Sequence, residues 1–146
     1  MEIAAAPSRH TVIGKRRTAQ RDTDNEICKV EEKISKMDKA TIIEIVRFRT
    51  NEGVNSEEFK AEMAKYDEFL LTQKGFISRQ IGLEANGMYV GITHWADMQS
   101  AETMGENLYY NPEMAAFFNS TMEKIDQKTL SDEFFEIFST TIAPTM

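Results

Sequence analysis

The sequence predicts an α+β domain whose elements follow the order β–α–β–β–α–β, and three observations support this prediction. Runs of β-branched and aromatic residues, typical of strands, occupy residues 41–49 and 128–139. Between them, the pair Asn86-Gly87 predicts a tight hairpin that joins two further strands. Helical patterns of apolar residues separate the first strand from the hairpin and the hairpin from the last strand.

Composition limits the class of protein. The chain has 146 residues, of which 41% are hydrophobic, and this suits one compact domain. Its net charge of -7 is concentrated after residue 38, so we expect no nucleic-acid partner. No apolar run approaches the roughly 20 residues that a membrane span needs, so we expect no membrane partner. The single cysteine, Cys28, excludes a disulfide within the chain and suits a cytoplasmic location.

Three parts of the chain are distinguished by composition. Residues 1–38 are predicted to be an extension, made of a mobile basic tail and a short helix at 24–36. Residues 39–140 form the predicted domain, and residues 141–146 form a short tail without a pattern.

The first strand, residues 41–49, is followed by a helix that begins after Asn55 or Ser56, both favoured N-cap residues. Its predicted buried stripe recurs at helical spacing and consists of Phe59, Met63, Tyr66 and Leu70. The helix ends near Gly75, because glycine is favoured directly after a helix.

The hairpin strands are predicted at residues 76–83 and 88–95. In the first of them, one face is shared by Ile77, Arg79, Ile81 and Leu83. A helix at 96–106 follows, and Asn111-Pro112 opens another helical run to about residue 126. The resulting order is that of a ferredoxin-like fold, a four-stranded antiparallel sheet with helices on one face.

The pattern of apolar residues in the first strand also predicts that the sheet packs against a second protein chain. Ile43 and Ile45 have one parity along it, whereas Val46 and Phe48 have the other, so both faces of the sheet carry apolar side chains. Helices of one chain cover one face only. We therefore expect a homodimer in which a second copy covers the other face.

His94 and Trp95 are the first candidates for a functional site. His94 is the only histidine of the predicted domain and is a natural general base near neutral pH. Trp95 follows it on the strand and therefore points to the opposite face, together with Tyr89 and Thr93. These side chains suit an aromatic-walled pocket for a small apolar molecule. The alternatives are a structural histidine, bonded across the sheet or at the dimer interface, and a tryptophan of the core.

Further candidates are phenols and cations. Tyr66, Tyr109 or Tyr110 is suited to line the pocket, and Tyr110 to relay a proton; packing is the alternative role. Arg79 or Arg47 is suited to hold developing negative charge, and pairing with Glu44 or another acid is the alternative. The acids Asp132 and Glu133 are interpreted as solvated, and no metal-ligand cluster or cofactor-binding motif is present in the sequence.

The strand that ends in Gly91-Ile92-Thr93-His94-Trp95, the helix after it, and the Asn111-Pro112 break before Met114 and Phe117-Phe118 resemble the antibiotic biosynthesis monooxygenase family. The resemblance covers about residues 39–140. It implies a dimeric α+β barrel and a pocket near Asn111 and Phe118. Members of that family oxidise anthrones or quinols without metal or flavin, degrade haem, or isomerise small molecules.

The resemblance leaves three hypotheses open. The haem-degrading branch requires a histidine ligand near Phe117 or Phe118, and this chain has none there, so haem degradation is disfavoured. The first hypothesis is a cofactor-independent monooxygenase acting on a small apolar, aromatic or polyketide-like substrate, with His94, Arg79 and Tyr110 as catalytic groups. The second is a ligand-binding or interaction homodimer without catalysis, and the third is a cyclase or isomerase.

Overall fold

The computed structural model describes residues 37–144, and residues 40–138 form one compact unit. The strands of this unit are β1 (Ile42–Thr50), β2 (Phe76–Leu83), β3 (Tyr89–Trp95) and β4 (Ile125–Glu136). Its helices are α1 (Ser56–Leu70), α2 (Met98–Tyr110) and α3 (Pro112–Glu123). The predicted α+β class and element order are confirmed. The predictions placed the last strand too late, since β4 begins directly after α3.

Local chemistry explains where the helices begin. The Asn55 side chain accepts a hydrogen bond from the Glu58 N–H and caps α1. At the break between α2 and α3, the Asn111 side chain accepts from the N–H groups of Glu113 and Met114, and Pro112 occupies the first turn. The two helical runs predicted on either side of Asn111-Pro112 are therefore two separate helices, because Asn111 leaves the helical conformation and caps a new one.

The four strands form one sheet in the order β2-β3-β1-β4, and every neighbouring pair is antiparallel. This is the ferredoxin-like strand order. An irregularity in β2 lies between Phe76, which pairs with Trp95, and Ser78, which pairs with His94. As a result, Phe76 and Arg79 face the same side although they are three positions apart.

The sheet has two different faces, which we call the helix-side face and the open face. Ile42, Phe48, Tyr89 and Trp95 pack against the helices and define the helix-side face. The alternating positions Ile43, Ile45, Ile92 and His94 define the open face. No helix in the described part of the chain is long and apolar enough to cross a membrane.

Candidate functional site

A cavity of about 180 Å³ lies on the helix-side face of the sheet, beneath α1 and α3. Its apolar lining consists of Val46, Phe48, Met63, Gly91, Phe117, Phe118, Met122, Ile125 and Leu130. Its polar lining consists of Glu44, Tyr66, Arg79, Thr93, Thr121 and Asp132. The cavity therefore combines an apolar wall with several polar groups, which is the usual composition of a small-molecule site.

Three of the polar groups form a row across the sheet. Glu44 on β1 pairs with Thr93 on β3, and Thr93 pairs with Arg79 on β2. Asp132 on β4 pairs with Val46, so it lies diagonal to Glu44 across the strand pair. The sheet register thus places a carboxyl pair at one end of the row and a guanidinium at the other.

Glu44 is the most perturbed acid of this site. Burial raises its pKa, and the hydrogen bond and negative charge of Asp132 raise it further. The Trp95 hydrogen bond and the Arg79 charge act in the opposite direction, and the resulting pKa is about 7 instead of 4.5. At neutral pH, Glu44 is therefore able both to accept and to release a proton.

Trp95 holds the Glu44 carboxyl in place. Its Nε1–H donates a hydrogen bond to Glu44 Oε1 at 3.0 Å. The indole is fully buried, with 0% of its surface exposed, and packs edge-on against Phe76 with ring centroids 5.7 Å apart. Trp95 does not line the cavity itself; it supports the acid that does. A group fixed by a packed neighbour keeps its geometry during a reaction.

Arg79 is held in the cavity wall by contacts with α1. Its guanidinium forms an ion pair with Asp67 and lies 5.3 Å from the centre of the Tyr66 ring. Burial, followed by the charge of Glu44, raises the pKa of Tyr66 to about 12. Tyr66 therefore stays protonated at neutral pH and is a hydrogen-bond donor, not a base.

Helix α3 closes the cavity and is tied to α1. The Thr121 hydroxyl donates to Glu62 Oε1 at 2.8 Å, and Lys124 forms an ion pair with the same carboxylate. Partial burial acts to raise the pKa of Glu62, but the bonds from Lys124 and Thr121 outweigh it and lower the pKa. These contacts keep Phe117 and Phe118 over the cavity.

The structure places His94 away from this cavity. His94 lies on the open face, where its Nδ1 is 3.3 Å from the Ser78 hydroxyl. Partial burial lowers its pKa. The expectation that His94 is the base of the pocket is corrected by this placement. The reason is strand alternation, since Thr93 and Trp95 on either side of it face the helices.

Several other predicted site residues also lie outside the cavity. Tyr109 and Tyr110 are 73% and 76% exposed, so neither phenol is positioned for catalysis there. Asn111 caps α3 and, with Tyr110, borders a shallow surface depression. Arg47 pairs with Glu84, and Tyr89 is buried in the core, where it stacks on Phe48 at 5.4 Å.

Of the predicted residues, Tyr66, Arg79, Thr93 and Phe118 are brought together at the cavity. Sequence reasoning missed Glu44 and Asp132, which it interpreted as an ion-pair partner and a solvated acid. One signal pointed to Glu44: it is the only acid within the apolar run of β1, and its parity matches that of Val46 and Phe48. Among residues 37–144, no cluster of His, Cys, Asp or Glu is placed to hold a metal ion.

The fold and cavity define an α+β domain with a ferredoxin-like sheet and a partly polar cavity beneath its helices. No family model matches the sequence, and a search of curated proteins also found no match. The fold, however, is shared with solved structures. A mutant of SnoaB, described as a cofactor-independent oxygenase from Streptomyces nogalater, is 17% identical, with a TM-score of 0.51 and coverage of 73% of this chain and 99% of that chain.

Two further structures share this fold and are described with different activities. A monooxygenase from the ActVA-Orf6 gene of Streptomyces coelicolor, solved with nanaomycin D, is 14% identical, with a TM-score of 0.56 and coverage of 72% and 94%. A hydroxynitrile lyase from Passiflora edulis is 12% identical, with a TM-score of 0.53 and coverage of 70% and 98%. These similarities confirm the α+β fold of the single chain, and the dimer implied by the resemblance to antibiotic biosynthesis monooxygenases stays a prediction. They do not select a reaction.

Proposed function

We propose that the chain is a small enzyme in which Glu44, paired with Asp132, is a general base for cofactor-independent oxidation. Its substrate would be small, apolar, and aromatic or polyketide-like. The observation that supports this proposal is the raised pKa of Glu44, about 7, in a cavity that combines an apolar wall with a few polar groups. A general base is most effective when its pKa lies close to the working pH.

The proposed reaction converts an activated CH₂ group next to an enol or phenol into a carbonyl group. Glu44 removes a proton from this carbon, and the carbanion transfers electrons to O₂ and forms a C–O bond. The peroxide anion takes this proton back from Glu44 to give a hydroperoxide, which leaves Glu44 ionised again. Loss of the second C–H proton to Glu44 and cleavage of the O–O bond give the carbonyl, and the released hydroxide takes that proton to form water.

The other cavity residues have matching roles in this proposal. Arg79 and Thr93 stabilise the oxygen that becomes negative when the carbon is deprotonated. Asp132 is exposed and also lines the cavity, so it passes protons between Glu44 and solvent. Phe117 and Phe118 exclude water, which favours reaction of the carbanion with O₂ over reprotonation.

Oxygen uptake with a panel of single-ring phenols that carry an activated CH₂ group, extended to quinols and anthrones, tests this function. The comparison is between the wild type, Glu44→Gln and a matched control, Glu133→Gln. Glu133 is an exposed acid next to Asp132 that pairs with Ile45 on the open face. We expect uptake by the wild type and the control, and its loss in Glu44→Gln. Uptake that Glu44→Gln leaves unchanged would contradict the proposed base, and no uptake with any substrate would favour the ligand-binding hypothesis.

A proton-transfer enzyme that does not use oxygen, such as an isomerase or cyclase, is the second candidate. The same carboxyl pair favours it, because Glu44 and Asp132 move protons whether or not an oxidant is present. Anaerobic incubation of the panel in heavy water distinguishes the two. Deuterium entering the substrate carbon in a Glu44-dependent manner, without oxygen uptake in air, would support the second candidate and overturn the first.

We also propose that the protein is a homodimer in which two open faces pack together. Ile45 and Ile92 are paired neighbours on that face, and Phe135 beside them is 46% exposed in the single chain. Packing two sheets buries such side chains. Analytical ultracentrifugation is expected to find a dimer for the wild type and a monomer for Ile92→Glu. A wild-type monomer at micromolar concentration would refute this arrangement.

A further inference from the structure

We infer that the cavity selects an uncharged compound of about one aromatic ring that carries a hydroxyl or enol group, and that Gly91 sets the upper limit on its size. This inference deepens the proposed function and rests on it for the role of the hydroxyl group. The selection itself rests on three properties of the cavity: its volume, its charges and the missing side chain at position 91.

The volume limits the ligand to a small molecule. A protein cavity of about 150 Å³ holds one benzene molecule, whereas pockets for drug-sized ligands begin near 300 Å³. The cavity described above measures about 180 Å³. It therefore has room for one ring with a small substituent. A ligand with a second fused ring would fill the remaining free space completely.

The charges of the lining disfavour an anionic ligand. The charged lining residues in the described part of the chain are Glu44, Asp132 and Arg79. The Arg79 guanidinium is already paired with Asp67, although its charge still acts in the cavity, since it lowers the pKa of Glu44. A carboxylate or phosphate entering the cavity thus meets two carboxyl groups and a single cation that already has a partner, so an anion is disfavoured relative to a neutral ligand of the same size.

Gly91 provides part of the free space. It lies between Val46 and Ile81 on the helix-side face and lines the cavity. A Cβ added there would meet Arg79 Nη2 at 3.8 Å and the Val46 carbonyl oxygen at 4.0 Å, which are ordinary contacts. The backbone therefore tolerates a methyl group at position 91, and the added methyl takes its volume from the cavity.

Gly82 offers a matched control for this change. It also lies in a strand, but it pairs with Val90 on the open face, and a Cβ there would meet nothing within 4 Å. Gly91→Ala and Gly82→Ala thus add the same methyl group to the same sheet, on opposite faces. Only the first reduces the cavity.

The charge selection is tested with two probes of equal size, 4-hydroxybenzamide and 4-hydroxybenzoate. Isothermal titration calorimetry on the wild-type protein near neutral pH is expected to show binding of the amide and at least about tenfold weaker binding of the carboxylate. Equal or tighter binding of the carboxylate would overturn the inference, and so would failure of the amide to bind at millimolar concentration.

The size limit is tested with phenol and 2-naphthol on both glycine variants, after circular dichroism has verified their folding. Gly91→Ala is expected to weaken 2-naphthol binding about tenfold more than phenol binding, because overfilling a packed site is costly. Gly82→Ala is expected to leave both affinities within about twofold. An equal effect of Gly91→Ala on the two probes would overturn the assignment of Gly91.

Both titrations are performed without oxygen, so they do not depend on turnover. A protein that shows the expected selection and yet consumes no oxygen with any substrate supports this inference and overturns the proposed oxidation. A protein that oxidises substrates but binds 4-hydroxybenzoate and the amide equally tightly overturns this inference and supports the proposed oxidation.

Discussion

Titratable side chains have different environments on the two faces of the sheet. On the helix-side face, Glu44 lies beneath helices and beside Asp132, and its pKa rises to about 7. On the open face, His94 is of the residue type that usually serves as a base near neutral pH, but it lies beside Ser78 and away from the cavity. The comparison teaches that an acid acquires the properties of a base for neutral pH from its surroundings, and that residue type alone does not locate the site.

The largest effect is expected for Glu44→Gln, which tests the helix-side face directly. Glutamine keeps the size of the side chain and still accepts the Trp95 hydrogen bond, but it cannot take a proton. Loss of a general base typically costs about 10²–10⁴-fold in rate. We therefore expect kcat to fall at least about 100-fold with an unchanged circular dichroism spectrum. Activity within a few fold of the wild type would remove Glu44 from the mechanism.

The next largest effect is expected in the pH dependence of the rate, which tests the ionisation of Glu44 on the helix-side face. Because the base must be ionised, we expect the wild-type rate to rise about tenfold between roughly pH 6 and pH 8, with a midpoint near the Glu44 pKa of about 7. The contribution of Glu44 to the stability of the folded protein changes with pH in the opposite direction. The folded protein binds the Glu44 proton more tightly than the unfolded chain, so this contribution is complete below about pH 4.5 and is lost as the pH rises through 7.

Glu44→Gln lacks this titration. We therefore compare the thermal midpoint of Glu44→Gln with that of the wild type at each pH. The variant's midpoint minus the wild-type midpoint is expected to be larger above pH 7 than below pH 4.5. Thermal unfolding followed at several pH values measures this difference, with Glu133→Gln as the control. A difference between variant and wild type that does not change with pH would show that Glu44 titrates normally in the folded protein.

A smaller effect is expected for Trp95→Phe, which removes the N–H donor from Glu44. Since that hydrogen bond lowers the Glu44 pKa, its loss is expected to move the midpoint of the rate profile to higher pH. The smaller ring also leaves space in the core and is expected to reduce the free energy of unfolding by about 1–3 kcal/mol. A loss of stability with an unmoved pH midpoint would show that Trp95 only packs.

The smallest effect is expected for His94→Ala, which tests the open face. With no contact to the cavity, His94 is expected to change the rate by less than about twofold. A loss of activity comparable to that of Glu44→Gln would reverse the assignment of the two faces. Analytical ultracentrifugation of the same variant separates a direct catalytic effect from one transmitted through the proposed dimer.

The fold was predictable because its signals are local. The Asn86-Gly87 turn, the cap at Asn55 and the Asn111-Pro112 break each determine structure within a few residues, and all three appear where expected. The opposite orientation of His94 and Trp95 follows in the same way from strand alternation.

The acid pair was not predictable in the same way. Glu44 and Asp132 are 88 positions apart, and their proximity depends on the register between β1 and β4. That register includes a shift between Arg47 and Arg49, and a slip of one residue would move Asp132 to the open face. No local pattern specifies such a register, so the sequence indicated an unusual acid in β1 without indicating its partner.

The irregularity in β2 has a consequence for how the chain tolerates changes in length. Phe76 supports Trp95, and Arg79 faces Thr93, because the strand accommodates an additional residue between them. Deleting Ile77 would restore regular pairing of Phe76 with Trp95 and of Ser78 with His94, and would leave the Arg79 register unchanged. A deletion at this position is therefore absorbed within β2 before it reaches the cavity, and the position of the Arg79 cation is preserved.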